Sequence, residues 1–292
     1  MEPLTTDQRR EALEHYLTKL ETATFPAPID GLPLPYNSCP RIQCVSWRFP
    51  MIDQLVGHEL SELTNALNEW RGALRRWYVW LDVLSRYDEQ IAWSLQWEFV
   101  ESIAFQCLFY PSATRDRFGF VATNALHQVR MATEDAYKDV LDQDPKKQNG
   151  KERMLSRSER EAQLSRIAEP YEGRDVFMAH MRSLDGIGYR NQTRDYRNRA
   201  SHSIAPRLNV GMTDIVVRRV VPATILIEQE KGFYKEEVIP NRLQVSYGFG
   251  GSPPLPLREV FAANLAESQR AQACFISYVN LLNGALAGLA AE

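Results

Sequence analysis

Apolar residues recur along most of this chain at spacings of three, four and seven, which is the period of an amphipathic α-helix. The longest such stretch follows Pro50 and predicts a helix from Met51 to about Arg86. The same period predicts helices over residues 5–23 and 256–290. Most of the protein is therefore expected to be helical.

A second long apolar segment begins at Asp88, whose side chain is suited to cap a helix N-terminus. It is apolar over much of its circumference, which predicts a central helix. We expect this helix to end before Pro111, because proline lacks the amide hydrogen that a helix interior needs. Residues 115–141 resume the helical pattern.

Two polar or proline-rich segments interrupt these helices. Residues 24–40 are rich in proline and are expected to run extended over the surface. Residues 142–153 are polar and predict a mobile loop. Ser156 and Glu159 then have the spacing of a capping box, which predicts a short helix ending before Pro170.

The pattern changes after residue 202, where the runs DIVVRRVV, ATILIEQE and RLQVSYGF are short and rich in β-branched residues. They predict a small antiparallel sheet or long hairpin over about 213–249. Gly232 and the pair Pro240-Asn241 are expected to supply the turns.

The predicted fold class is therefore mainly α, a helical bundle with a small antiparallel β insertion before the last helix. We divide the chain into an N-terminal helix with its proline-rich connector, residues 1–49, and a helical domain, residues 50–292, that carries the insertion.

The charge is unevenly distributed. The chain carries a formal net charge of −3, yet the segment from Arg182 to Arg207 contains six arginines and only two aspartates. A basic segment within an acidic protein favours a local site for an anionic ligand over general coating of nucleic acid.

Other features narrow the class of protein. The N-terminus is polar and charged, so no secretory signal is predicted and we expect a cytoplasmic protein. The apolar C-terminal segment is interrupted by polar residues, which predicts a core helix and no membrane association. Cys39 and Cys44 have no second pair to complete a zinc site, and we expect neither a metal nor another cofactor.

The basic segment contains the repeat YRNQTRDYRNRASH, residues 189–202. On a single helix beginning after Gly188, Arg194, Asn198 and His202 follow one another at intervals of one turn and form a polar ridge. Arg197 lies about 140° around the helix from His202. For both to reach one ligand, that ligand must lie at a helix end, or a second copy of the motif must face the first.

These residue types suit the cleavage of RNA by its own 2′-hydroxyl. One group must accept the 2′ proton, another must protonate the leaving 5′-oxygen, and a cation must stabilise the charged phosphorus centre. Histidine suits proton transfer near neutral pH, and arginine binds phosphate oxygens as a permanent cation. This chemistry needs no metal.

The sequence RNRASH, residues 197–202, resembles the R-N-x-x-x-H signature of the HEPN superfamily. The resemblance implies a helical bundle with the motif on a late helix, a homodimer in which two motifs form a composite active site, and metal-independent endoribonuclease activity that leaves a 2′,3′-cyclic phosphate. A toxin or defence effector with an antitoxin or regulatory partner would fit such a protein. Ile204 stands where some toxin members have tyrosine, so regulation through that tyrosine is not implied.

The resemblance assigns His202 as general acid/base, Arg197 as phosphate clamp and Asn198 as orienting residue. Further phosphate contacts are expected from nearby arginines, namely Arg190, Arg194 and Arg199. Glu98 and Glu101 are candidate supporting carboxylates, since a buried carboxylate would seek a cation such as Arg197.

Two other interpretations remain open. The chain could be a non-catalytic helical module that binds RNA, a nucleotide or a protein partner through the basic segment. It could also be a purely structural helical protein, in which case Arg197 and His202 should pair with internal carboxylates and line no cleft.

Overall fold

The computed structural model describes residues 3–146 and 150–289. The protein is mainly helical, with a two-stranded antiparallel sheet that precedes the last helix, as the sequence predicts. The helices are α1 Thr6–Thr22, α2 Ile52–Leu84, α3 Glu89–Leu95, α4 Glu101–Thr133, α5 Arg157–Ile167, α6 Arg174–Ser183, α7 Ile187–Gln192, α8 Tyr196–His202 and α9 Leu257–Leu286. The strands are β1 Val216–Glu230 and β2 Phe233–Phe249.

The chain forms two compact units. The first comprises Met1–Asp195 and Arg258–Glu292, and the second comprises Tyr196–Leu257. The first unit therefore contains the long helices, and the second contains α8 and the β-hairpin. The boundary falls inside the repeated Tyr-Arg-Asn segment, between its two copies.

The core of the first unit is built on α2, the helix predicted from Met51 to about Arg86. Its apolar stripe places Trp70, Leu74 and Trp77 in the interior, each at most 1% exposed. Trp70 stacks on Tyr110 of α4, with ring centroids 5.5 Å apart. Because burial of each large apolar side chain contributes about 1.5–3 kcal/mol, this stripe holds α2 and α4 together.

The prediction that a helix ends before Pro111 is wrong. α4 continues through Pro111 to Thr133, and Pro111 itself is buried inside the helix. A proline in a helix interior costs about 3 kcal/mol, because one backbone hydrogen bond is lost. The residues on both sides, including Leu108 and Phe118, are fully buried, and their packing outweighs that cost.

Helix starts follow the sequence closely. Thr5, the first residue of the helix predicted over 5–23, caps α1 in a capping box with Gln8. The predicted capping box of Ser156 and Glu159 is confirmed at the start of α5. The predicted polar break at 142–153 lies partly outside the described residues.

The proline-rich connector is less superficial than expected. Phe25 and Ile29 are buried at 5% and 0% exposure, and the guanidinium of Arg75 on α2 lies 3.8 Å from the Phe25 ring centroid. Asn68 of α2 also exchanges hydrogen bonds with the backbone of Leu34. The N-terminal segment thus packs on α2 within the same unit.

The second unit contains one hairpin, which is simpler than the predicted arrangement with two turns. Gly232, with φ of +89°, forms its only turn between the two strands. Pro240 and Asn241 lie within β2, where four residues lie opposite the single residue Ala223 and the register shifts. The irregularity is a bulge, which accommodates a proline that cannot donate a ladder hydrogen bond.

Two isolated β-bridges close the base of this hairpin. Leu208 pairs with Leu255, and Thr213 pairs with Ser252. The adjacent Gly251 has φ of +145°, a conformation that only glycine adopts readily. The entry and exit of the hairpin are therefore held side by side.

Candidate active site

The repeated Tyr-Arg-Asn segment forms two short helices rather than the predicted single one. α7 ends at Gln192, and Arg194 and Asp195 then have positive φ angles of +50° and +52°. The Asp195 N–H donates to the Arg190 carbonyl at 2.6 Å, and the Arg194 N–H donates to the Asn191 carbonyl at 3.2 Å. This pair of bonds is a Schellman motif, which terminates a helix. The polar ridge predicted from Arg194 to His202 is therefore broken.

The second copy of the repeat forms α8, a helix of seven residues that spans almost the same residues as the R-N-x-x-x-H motif. Arg197 lies in its first turn and His202 is its last residue. Asn198 and His202 remain one turn apart on the same side. Arg197 and His202 are separated by about 140° around the axis and about 7.5 Å along it.

The side chains of Arg197 and His202 have no ion pair or hydrogen bond within the described part of their own unit. Arg197 is half-buried and His202 is exposed. Among the described residues of the second unit, neither makes an ion pair or a hydrogen bond through its side chain. The purely structural interpretation expects such pairs with internal carboxylates, and this unit does not supply them. Asn198 is exposed beside them.

The neighbouring Arg199 is held in place. Its guanidinium donates to the Asp214 carboxylate at 2.7 Å and to the Ile204 carbonyl at 3.1 Å. These bonds connect α8 to the loop that leads into β1. Phosphate binding by Arg199 stays a prediction, and a phosphate would compete there with Asp214.

Arg190, in the first copy of the repeat, belongs to a partly buried charge network of the first unit, centred on the buried Asp185. Its guanidinium donates to both oxygens of Asp185, at 2.7 and 3.3 Å. Arg157 donates to the same Asp185 carboxylate at 2.8 Å and to both oxygens of Asp116. The Asp185 N–H donates to Glu267, whose carboxylate pKa is raised by burial. This network anchors α7, so a structural role accounts for Arg190.

The candidate supporting carboxylates lie in the first unit. Glu98 is exposed, and its carboxylate accepts two hydrogen bonds from Arg9 at 2.8 and 2.9 Å. The expected cation for Glu98 is therefore already present as Arg9. Glu101 is half-buried at the start of α4.

A histidine outside the motif has the hydrogen bonds of a core residue. His127 is 1% exposed, and its two ring nitrogens lie 2.9 Å from the Tyr137 hydroxyl and 2.8 Å from an Asp139 oxygen. Both of its polar atoms are satisfied, so its geometry explains its burial without a catalytic role.

A cleft between α2 and α4 was not anticipated from the sequence. It encloses about 500 Å³ and is lined by polar residues that include Glu59, Glu62 and Arg117. Burial raises the pKa of the Glu59 carboxyl, although Asn124 donates a hydrogen bond to it at 2.8 Å. The glutamates recur at helical spacing along α2. Charged residues in that pattern usually indicate a solvent-exposed helix face, so the sequence did not predict a cleft.

The described residues contain no group of three or more His, Cys, Asp or Glu side chains arranged to hold a metal ion. Within the same residues, no helix combines the length and apolar character needed to cross a bilayer. All four cysteines are free thiols.

Comparisons with protein-family models, with curated proteins and with solved structures gave no match for this chain. The interpretation of the site therefore depends on its residues and geometry.

Proposed function

We propose that this chain is a metal-independent endoribonuclease of the HEPN type, with α8 as its catalytic helix. The observation that carries the proposal is the state of Arg197 and His202. Both lie on one short helix, and neither has a side-chain partner among the described residues of its unit. A cation and an imidazole without partners in the described part of their own unit are available to bind a phosphodiester.

In this mechanism His202 accepts the 2′-hydroxyl proton or protonates the leaving 5′-oxygen. Arg197 binds the non-bridging phosphate oxygens and stabilises the additional charge of the pentavalent transition state. Asn198, on the His202 side of α8, orients the ribose or the imidazole. The P–O5′ bond breaks as the 2′-oxygen attacks, and the products are a 2′,3′-cyclic phosphate and a free 5′-hydroxyl.

The geometry of one α8 favours a site assembled from two copies. On a single helix Arg197 and His202 diverge by about 140°, so one phosphate is poorly placed to contact both. Two facing helices remove this difficulty, because Arg197 of one copy can approach His202 of the other. We therefore include a homodimer with a composite active site in the proposal, acting in the cytoplasm on RNA, as a toxin or defence effector whose antitoxin or regulatory partner binds the same face.

The direct test is cleavage of a fluorescent RNA in EDTA by wild type, Arg197→Ala and His202→Ala. Loss of a general acid/base or of a transition-state cation is expected to slow cleavage by about 10²–10⁴-fold. Arg207→Ala is the matched control, because Arg207 is an exposed arginine of the same unit and its loss changes the charge equally. Cleavage that requires a divalent metal, or that survives both motif substitutions, contradicts the proposal.

Mixing the two inactive variants tests the composite site. In a dimer of one Arg197→Ala chain and one His202→Ala chain, one of the two sites keeps both groups. A one-to-one mixture should therefore recover about one quarter of the wild-type activity if subunits exchange freely. If each chain builds its own site, the mixture stays inactive. RNA binding without cleavage by wild type would instead support the non-catalytic binding module.

A further inference from the structure

One face of the hairpin is apolar and exposed. From Val216 to Pro222, β1 pairs in unbroken register with Phe249 back to Leu243 of β2. Residues directly opposite each other in such a ladder lie on the same side of the sheet. This side carries the six apolar residues that we call the apolar hairpin face, with Arg218 among them. They are between 47% and 91% exposed, namely Val216, Val220, Leu243, Val245, Tyr247 and Phe249.

The other side of the same rows is different. It carries the polar residues Arg219, Gln244 and Ser246, and its Val217 and Val221 are half-buried. Beyond the bulge, Leu226 lies on the side of the apolar hairpin face and is 66% exposed, whereas the exposed Ile225 and Ile227 lie on the other side. Leu226 therefore extends the exposed apolar surface toward the tip.

A two-stranded sheet with such a surface is incomplete by physical criteria. An isolated hairpin is at best marginally stable in water, and three or more strands or a packed face are needed for independent stability. Contiguous exposed apolar patches on this scale mark interaction sites. The apolar hairpin face is therefore suited to bind a partner.

The charges of the hairpin indicate which partner fits. On the side of the apolar hairpin face, the half near the base carries Arg218 and no acidic residue. On the same side, the half near the tip carries two glutamates, Glu228 and Glu236. A second hairpin laid antiparallel on the first brings Arg218 of each copy onto these two glutamates of the other.

We propose that the apolar hairpin face binds the hairpin of a second copy of this chain, with the two hairpins antiparallel about a twofold axis. In such an isologous contact every base–tip interaction occurs twice. The glutamates at the tip oppose an anionic membrane or a nucleic acid as occupant, because both repel them.

The size of the surface agrees with this partner. A 15-residue strand spans about 50 Å, and two strands with their side chains are about 10 Å wide, so one face covers about 500 Å². Burial on both copies removes about 1,000 Å², which is the lower bound for a specific interface.

This contact is distinct from the one that would join two catalytic motifs. The Arg199–Asp214 bond holds α8 near the base of the hairpin, and antiparallel hairpins place their bases at opposite ends. The inference therefore does not depend on the proposed ribonuclease activity, and cleavage in EDTA, measured on the same samples, tests that activity separately.

The experiment measures the solution mass of the full chain by sedimentation equilibrium. A base-reversed variant, Arg218→Glu, and a tip-reversed variant, Glu228→Arg with Glu236→Arg, should each halve the mass and weaken association more than about tenfold. A one-to-one mixture of the two should restore the wild-type mass, because each base then meets an oppositely charged tip. Arg219→Glu makes the same charge change as the base-reversed variant on the opposite side of the sheet and should leave the mass unchanged.

A second pair of variants tests the apolar contact. Leu243→Asp should halve the mass, whereas Gln244→Asp should not, because Gln244 lies on the opposite side of the sheet. Leu243 is 69% exposed within one chain, so its substitution should leave the circular dichroism spectrum of that chain unchanged. The proposal is overturned if wild type is a monomer at the highest concentration it reaches. It is equally overturned if the base-reversed variant keeps the wild-type mass, if the mixture fails to recover it, or if Leu243→Asp and Gln244→Asp behave alike.

Discussion

The buried carboxylate of Asp185 is expected to be a main electrostatic support of the first unit. It accepts hydrogen bonds from Arg157 and Arg190, and its side chain is only 7% exposed. Asp185→Asn is the informative substitution, because asparagine has the same shape and also tolerates the φ of +53° at this position. The variant removes the charge and leaves the backbone undisturbed.

The expected loss in the free energy of unfolding depends on which interactions Arg157 and Arg190 keep in the variant. Breaking a buried ion pair on one side costs about 3–5 kcal/mol when the remaining charge has no alternative. Here Arg157 keeps both oxygens of Asp116, and the Arg190 side chain is 42% exposed and can be hydrated. We therefore expect Asp185→Asn to lower the free energy of unfolding by about 2–3 kcal/mol, below that limit.

Urea unfolding followed by tryptophan fluorescence is the assay, because all six tryptophans lie in the first unit. Asp82→Asn is the matched control in the same unit. It makes the same charge change but breaks the more exposed pairs with Lys19 and Arg86, so any loss should stay below about 1 kcal/mol. The reasoning is refuted if Asp185→Asn costs less than about 0.5 kcal/mol, or no more than the control does.

Two further predictions concern thiols and pH. Cys44 is exposed and should react with a disulfide reagent in the native protein, whereas the buried thiols of Cys39, Cys107 and Cys274 should react only after unfolding. Burial also raises the pKa of Cys39 to about 11, which disfavours its reactive thiolate. Rapid labelling of more than one thiol would contradict this assignment. Burial raises the pKa of Glu59 above its value in the unfolded chain, so ionising Glu59 destabilises the fold as pH rises through and above about 4.5. Glu59→Gln should therefore increase stability more at pH 7 than at pH 4.5 in parallel urea titrations, and an equal effect at both values would rule out this linkage.

Periodic apolar patterns predicted the long helices of the first unit well. α2 begins one residue after the predicted start and ends two residues before the predicted end. Trp70, Leu74 and Trp77 recur at helical spacing in the sequence and are all buried in the structure, so the local pattern and the tertiary packing favour the same helix. The capping box at Ser156 and Glu159 was recognisable for a similar reason, since both of its hydrogen bonds are local.

Two errors in the predicted helix ends have identifiable physical causes. Pro111 indicates a helix end when it is read with its neighbours alone, and only the buried surroundings of α4 show why the helix continues. The end of α7 was missed because its Schellman motif uses Arg194 in the left-handed conformation, where glycine is usual. Neither proline nor glycine marks that break in the sequence.

The sequence predicted which residues form the candidate site, but not which of them have internal partners. The spacing of Arg197 and His202 could be read from the chain, and both lie on α8. The sequence alone did not show which arginines have internal partners. Arg199 pairs with Asp214, 15 residues away, and Arg190 pairs with Asp185 across the turn at residues 184–187 that leads into α7. The exposure of one hairpin face was equally hidden, since alternating β-branched residues are typical of a buried sheet.

The closed base of the hairpin has a consequence for how its length can change. Because the bridges of Leu208 with Leu255 and of Thr213 with Ser252 fix the entry and exit, strand residues can be added or removed beyond them without altering the path of the chain at the base. Removing two opposed pairs shortens the arm by about 7 Å and keeps every remaining side chain on its original side, since the side-chain period of a strand is two. Paired insertions and deletions can therefore adjust the reach of the arm in steps, while the catalytic helix proposed here keeps its sequence and its Arg199–Asp214 attachment.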